Sequence, residues 1–149
     1  IRATKSAVQK LAARRLVERL FKKLPLRKNV EKQIREDKTI SSNIRRFALQ
    51  FADDFRENPQ SLFSAAEPLI LSATLKPEDY QQGLQYIEAA VKIQPRNHKY
   101  QTLLGIAQYR NGKYKTALVT LERAQIVTAV YGHVGTGSLR IPGTRPSQT

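Results

Sequence analysis

The chain has 149 residues, 40% of them hydrophobic and 26% charged, which suffices for one domain of ordinary size. The absence of cysteine excludes disulfides and thiolate metal sites, and no apolar run approaches the roughly 20 residues of a membrane span. The formal net charge is +14, and residues 1–35 supply most of it, with 12 basic and two acidic side chains. Such a field favours an acidic protein, a nucleic-acid backbone or an anionic surface as partner.

Three helices are predicted in the basic N-terminal region, residues 1–58. The first, from about Ser6 to Leu24, combines an apolar stripe at helical spacing with a strongly basic surface. The stripe is expected to comprise Val8, Leu11, Ala12, Leu16, Leu20 and Phe21. The basic surface is expected to comprise Lys10, Arg14, Arg15, Arg19, Lys22 and Lys23. The second and third helices are predicted near 28–36 and 42–55, with an aromatic ladder in the third that indicates core packing.

Four more helices are predicted in residues 59–130, over about 59–73, 77–93, 98–110 and 114–127. Their ends coincide with Pro and Gly residues. The strongest of these signals is Asn111-Gly112, where the glycine is expected to end the helix in the left-handed conformation. Residues 131–149 are rich in Gly, Pro, Ser and Thr, a composition typical of a flexible tail. Because no segment alternates apolar and polar residues, the predicted fold class is all-α.

A period of 34 residues links the fifth and seventh predicted helices. Tyr80 recurs as Tyr114 and Leu84 as Leu118, and the match continues toward the end of both helices. Its further pairs are Ile87 with Leu121 and Ala90 with Ala124. Self-similarity at this period indicates stacked helical pairs, which bury their faces against each other and leave a concave surface for a partner.

The residues around this echo resemble the tetratricopeptide repeat family. The matching positions are Leu104, Gly105, Ala107, Tyr109, Gly112, Tyr114, Ala117 and Ala124, preceded by Tyr80, Leu84, Ala90 and Pro95. Gln101, Gln108 and Ala129 depart from the family pattern, and the segment 61–74 matches it poorly. The resemblance implies one clear and one degenerate repeat, with the three N-terminal helices covering the exposed apolar face in place of further repeats.

The resemblance also implies a partner-binding groove on the sixth helix. Its expected lining residues are Lys99, Leu103, Ile106, Tyr109 and Arg110. Alternatively, Leu103 and Ile106 pack beneath the N-terminal helices. A clamp for a terminal carboxylate is not expected, because Ile106 and Ser72 occupy the positions where its asparagines would stand. The groove would bind a peptide or domain by apolar contact, with the two cations adding charge.

A second resemblance covers more of the chain. The residues Leu20, Phe21, Leu24, Arg45, Arg46, Ala48, Leu49 and Ala52, followed by the two-repeat unit, resemble a region of planctomycete-type bacterial serine/threonine kinases. Because the chain begins at Ile1, we expect it to be a piece of a longer or processed protein. It has no catalytic loop, glycine loop or Asp-Phe-Gly motif, so any kinase domain would lie outside it.

No constellation of residues favours catalysis, a metal or a cofactor. His98 and His133 are far apart, and a metal site needs several clustered ligands. The carboxylate pairs Asp53-Asp54 and Glu78-Asp79 fit a helix flank and a helix N-terminus. The glycines of residues 132–137 follow a predicted helix, whereas a nucleotide loop follows a strand.

The basic first helix leaves three interpretations open. It is a solvated face opposite the core, a surface for an acidic protein, or a site for nucleic acid or an anionic membrane. Taken together, the sequence predicts a non-enzymatic protein-interaction module in the cytoplasm, and binding of nucleic acid or an anionic surface through this helix is the alternative.

Overall fold

The structure, a computed structural model, describes residues 4–131, with side chains described for residues 4–125. Its seven helices are α1 (Lys5–Lys23), α2 (Arg27–Glu36), α3 (Ser42–Asp54), α4 (Pro59–Leu71), α5 (Pro77–Ile93), α6 (His98–Arg110) and α7 (Tyr114–Tyr131). No strand occurs within this range, which confirms the all-α prediction for the described residues. The predicted tail lies outside them, apart from Tyr131 at the end of α7.

Side-chain caps begin four of the helices. The Thr4 hydroxyl accepts from the Ala7 backbone N–H, so α1 starts at Lys5, one residue before the predicted start near Ser6. The Ser41 hydroxyl caps α3 by accepting from the Ile44 backbone N–H. Asn58 and Asn97 cap α4 and α6, each accepting two backbone N–H groups through its side-chain oxygen. Because such caps satisfy orphan donors, they fix where each helix begins.

The first three helices share a core of their own, the N-terminal core. Its fully buried side chains come from all three helices, and larger residues of the predicted aromatic ladder lie half-buried around them. The buried members are Ala13, Val17, Phe21, Val30, Ile34, Ala48 and Ala52. Alanines on α3 let α1 approach closely, which the small volume of these side chains permits.

The later helices build a second core, the C-terminal core. Here α4 packs against α5, α5 against α6, and α6 against α7. Leu62, Ile70 and Ile87 have no exposed surface, and Tyr100 stacks against Phe63 with ring centroids 5.2 Å apart. Leu26, at the start of α2, also belongs to this core.

The N-terminal helices lie beside the C-terminal core and do not cover it. Within residues 4–131, the backbones of α1, α2 and α3 do not approach those of α4 to α7. The two parts meet at the connection between α3 and α4, where Phe55 stacks on Phe21 at a centroid distance of 3.9 Å. The expectation that the N-terminal helices cap the repeats is therefore wrong, except at Leu26. A cleft of about 610 Å³ opens at this junction.

The apolar stripe of α1 also differs from its prediction. The helix buries Ala13, Val17 and Phe21, whereas Val8 and Leu11 are 56% and 51% exposed. Both sets have helical spacing, so periodicity alone does not distinguish them. Val8 and Leu11 lie on the side of α1 opposite to these three buried residues, so they face away from α2 and α3.

Candidate protein-interaction surface

The five predicted groove residues divide into core and surface. Leu103 is 5% exposed and belongs to the C-terminal core, and Ile106 is half-buried against the same core. The same core contains residues of α4 and α5, and also Leu26 of the N-terminal part. Lys99, Tyr109 and Arg110 remain exposed. Of the five predicted lining residues, Leu103 is therefore buried, whereas the other four keep exposed surface.

The two exposed cations of the predicted groove lie over aromatic rings of neighbouring helices. Lys99 Nζ is 4.7 Å from the centroid of Phe63 on α4, and the Arg110 guanidinium is 5.7 Å from that of Tyr80 on α5. Contacts of this kind contribute about 0.5–1 kcal/mol at exposed sites. Both side chains therefore have a structural role, which limits their freedom to reach a partner.

Tyr109 has a different setting, because it stands in an exposed cluster with two residues of α7. Tyr109, Tyr114 and Leu118 are 59%, 62% and 60% exposed, and we call these three residues the terminal patch. The rings of Tyr109 and Tyr114 meet edge to face with centroids 5.2 Å apart. Leu118 follows Tyr114 by one helical turn, so it continues the same face of α7. Such clusters of exposed apolar side chains mark interaction surfaces.

A tight turn holds the two tyrosines of the terminal patch in place. Gly112 adopts a positive φ of 76°, and the Lys113 N–H donates to the Gln108 carbonyl at 2.9 Å. The Asn111 side-chain amide donates to the carbonyl of Tyr80 at 3.0 Å, which ties the turn to α5. The patch is thus built on a braced connection, which lowers the entropy cost of binding.

The internal repeat shows what kind of element would cover the terminal patch. Leu84 on α5 corresponds to Leu118 on α7, but Leu84 is only 6% exposed and belongs to the C-terminal core. Among the described helices, α5 has two neighbours, α4 and α6, whereas α7 has only α6. Tyr80, the counterpart of Tyr114, is half-buried beneath Arg110 and donates its hydroxyl to the Ser72 carbonyl. The terminal patch is therefore the face of α7 that would be covered by a further helix placed against α7 as α6 is placed against α5.

A buried polar pair joins the two helices that carry the patch. The Thr120 hydroxyl on α7 donates to the side-chain carbonyl of Gln108 on α6 at 2.7 Å, and both residues are buried. Gln108 is one of the departures from the family pattern, and this bond gives it a structural role. Sequence reasoning missed this pair, since nothing in the spacing brings the two residues together.

All six residues of the predicted basic surface are exposed on α1. Arg14 pairs with Glu18 at 3.5 Å, and Lys10 lies over the ring of Phe47 on α3. The exposed Val8 and Leu11 stand among these cations, a combination that the predicted stripe did not anticipate. The N-terminal part of the chain thus presents a second, mixed surface.

The described residues hold no group of three or more His, Cys, Asp or Glu side chains that could bind a metal ion. Asp79 accepts from the Lys76 backbone N–H, a helix-start contact, and Asp53 and Asp54 are exposed on α3. His133 and the glycines of residues 132–137 lie outside the described residues. No helix among those searched is long and apolar enough to cross a bilayer.

Comparison of the chain with protein-family models, curated proteins and solved structures finds no match.

Proposed function

We propose that this chain is a non-enzymatic protein-interaction module of the tetratricopeptide type whose partner docks on the terminal patch. The observation that supports this proposal best is the contrast between Leu84, which is buried in the C-terminal core, and its repeat counterpart Leu118, which is 60% exposed. Two tyrosines and a leucine on a braced turn supply the apolar, aromatic anchor that dominates many protein interfaces.

The partner would be a helical segment with an apolar face. To the core that it shares with α5, α6 contributes Leu103 and Ala107 at four-residue spacing, and a partner helix of this pattern would suit α7. Lys113 and Lys115 flank the patch, so acidic residues at the partner's rim would add favourable charge. In the proposed relationship to bacterial serine/threonine kinases, this region would recruit a substrate or assembly partner to a catalytic domain elsewhere.

Affinity capture from lysate of the source cells tests this proposal. The bait is the full chain, and the lysate is treated with nuclease to remove bridging nucleic acid. The patch variant Tyr114→Ser/Leu118→Ser is compared with the control Leu71→Ser/Ile93→Ser, which removes two apolar side chains that are also exposed but lie elsewhere. The purified captured protein is then titrated against each variant.

The proposal expects the wild type and the control to retain one partner that the patch variant loses. Truncating interface anchors of this kind costs about 2 kcal/mol or more, which corresponds to a loss of affinity of roughly thirtyfold. A partner that binds both variants equally well would exclude the terminal patch as its site.

A further inference from the structure

The outward face of α1 combines basic and apolar side chains in a single strip. At about 100° per residue, Val8, Leu11, Arg15, Arg19 and Lys22 fall within roughly a quarter of the helix circumference. All five are exposed. The buried Ala13, Val17 and Phe21 occupy the opposite side, against α2 and α3. We call the five exposed residues the outward strip.

The charge of the outward strip is largely uncompensated. Of the ion pairs in the described residues, α1 makes one, between Arg14 and Glu18, and both of these side chains are exposed. On α2, by contrast, Lys32 pairs with Glu36 and Arg35 with Glu31. The first helix carries seven basic residues against Glu18 as its one acid, so its field is strongly positive.

The shape of this surface narrows the choice of partner. From Val8 to Lys22 the strip extends about 21 Å along a convex helix, at roughly 1.5 Å per residue. A convex strip does not enclose a peptide, but it can lie flat on an extended surface. Nucleic-acid phosphates would engage the cations but leave Val8 and Leu11 without a favourable contact. An anionic bilayer engages both, since apolar side chains enter the headgroup region while cations meet lipid phosphates.

We propose that α1 binds the surface of an anionic phospholipid bilayer through the outward strip, with the helix axis parallel to the membrane plane. Val8 and Leu11 insert among the headgroups, and Arg15, Arg19 and Lys22 contact lipid phosphates. This site is separate from the terminal patch, because the backbone of α1 does not approach α6 or α7. Membrane attachment and partner binding would therefore operate at once.

Co-sedimentation with large unilamellar vesicles tests the proposal. The full chain is mixed with phosphatidylcholine vesicles and with vesicles that also contain phosphatidylglycerol, at low and high salt. We expect binding only to the anionic vesicles, and weaker binding at high salt. Because each basic side chain near an anionic surface strengthens binding about fivefold, Arg15→Gln/Arg19→Gln/Lys22→Gln should weaken it about a hundredfold.

Two further variants separate binding through the outward strip from general attraction by the net charge of the chain. The control Arg96→Gln/Lys113→Gln/Lys115→Gln removes the same charge from exposed sites in the later part of the chain and should retain most of the binding. Val8→Ser/Leu11→Ser keeps the charge and should weaken binding about tenfold, since it removes the inserted groups. Circular dichroism verifies that each variant is folded.

Several outcomes would overturn the proposal. Failure of the wild type to bind anionic vesicles would do so directly. So would a loss of vesicle binding in the control variant as large as the loss in Arg15→Gln/Arg19→Gln/Lys22→Gln. If Val8→Ser/Leu11→Ser bound anionic vesicles as tightly as the wild type, charge alone would explain the binding, and the proposed insertion of Val8 and Leu11 would be excluded. Displacement from vesicles by a small excess of single-stranded RNA, with the apolar variant binding RNA normally, would assign the strip to nucleic acid.

Discussion

Gly105 on α6 faces the side chain of Leu121 on α7 with no room for a β-carbon. A Cβ built at residue 105 would lie 2.5 Å from both Cγ and Cδ2 of Leu121, well inside van der Waals contact. Gly83 has a similar but looser relationship to α4, with Ile70 Cγ1 at 2.9 Å. Close approach of the helices in each of these two pairs therefore depends on a glycine.

The first prediction is that Gly105→Leu unfolds α6 and α7 or lowers the free energy of unfolding by more than about 3 kcal/mol. Such a loss exceeds the usual cost of overpacking a core, because several heavy atoms are added where even a β-carbon does not fit. Urea denaturation followed by circular dichroism measures the loss. Combining Gly105→Ala with Leu121→Ala should recover part of the stability that Gly105→Ala alone loses, because the second change vacates the clashing space. An unchanged unfolding curve for Gly105→Leu would refute the close contact.

The second prediction concerns the buried bond between Thr120 and Gln108. Thr120→Val leaves the Gln108 amide buried without this partner, so we expect a loss of about 1–3 kcal/mol. The double variant Gln108→Leu/Thr120→Val should be more stable than Thr120→Val, since neither polar group then remains. A double-mutant cycle by chemical denaturation measures the coupling, and purely additive effects would show that the bond is not formed.

The third prediction concerns a helix start that is capped from a distant part of the chain. Leu26, which precedes α2, offers no side-chain cap, and the Arg27 backbone N–H instead donates to the Glu57 carboxylate at 2.6 Å. Glu57→Ala should therefore cost about 1–2 kcal/mol, as the loss of a charged cap does elsewhere. Glu88→Ala, at an exposed site on α5, serves as control and should change stability little. Equal effects of the two changes would argue against the cap.

The fourth prediction is a pH dependence at Asp37. Hydrogen bonds from the Thr39 hydroxyl and backbone N–H, aided by the charge of Arg45, lower the Asp37 pKa from its ordinary value of 3.8. Because the pKa of Asp37 is lower in the folded than in the unfolded state, its carboxylate stabilises the folded state at pH values above the ordinary pKa. This stabilisation is lost as the pH falls through the lowered pKa. Thr39→Ala should thus destabilise the protein at neutral pH, and its stability should converge with that of the wild type as the pH falls through the lowered pKa of Asp37. A thermal-stability difference that is constant with pH would contradict this.

The helices and several of their ends could be predicted from the sequence, because caps and breakers act locally. Ser41, Asn58 and Gly112 each set a boundary through contacts with residues at most three positions away. The 34-residue echo likewise placed Leu84 and Leu118 at equivalent positions. The echo could not reveal that Leu84 is buried and Leu118 exposed, since burial depends on which neighbouring helix is present.

Other features depend on contacts between distant residues. The first helix carries apolar residues on two faces, so its stripe became clear only from the packing of α2 and α3 on Ala13, Val17 and Phe21. Of the predicted groove, Leu103 faces the core because α4 and α5 lie on that side. Gln108, an apparent departure from a family pattern, acquires its role through a residue 12 positions away.

The central claim, that the terminal patch is covered by a protein partner, is tested most directly by nitration of tyrosines with tetranitromethane, read by mass spectrometry. In the purified chain, Tyr109 and Tyr114 should react readily, while the buried Tyr86 and Tyr100 should not. Addition of the purified captured partner should suppress nitration at Tyr109 and Tyr114 together. If the partner binds while both tyrosines react at their original rate, its site lies elsewhere and the claim is contradicted.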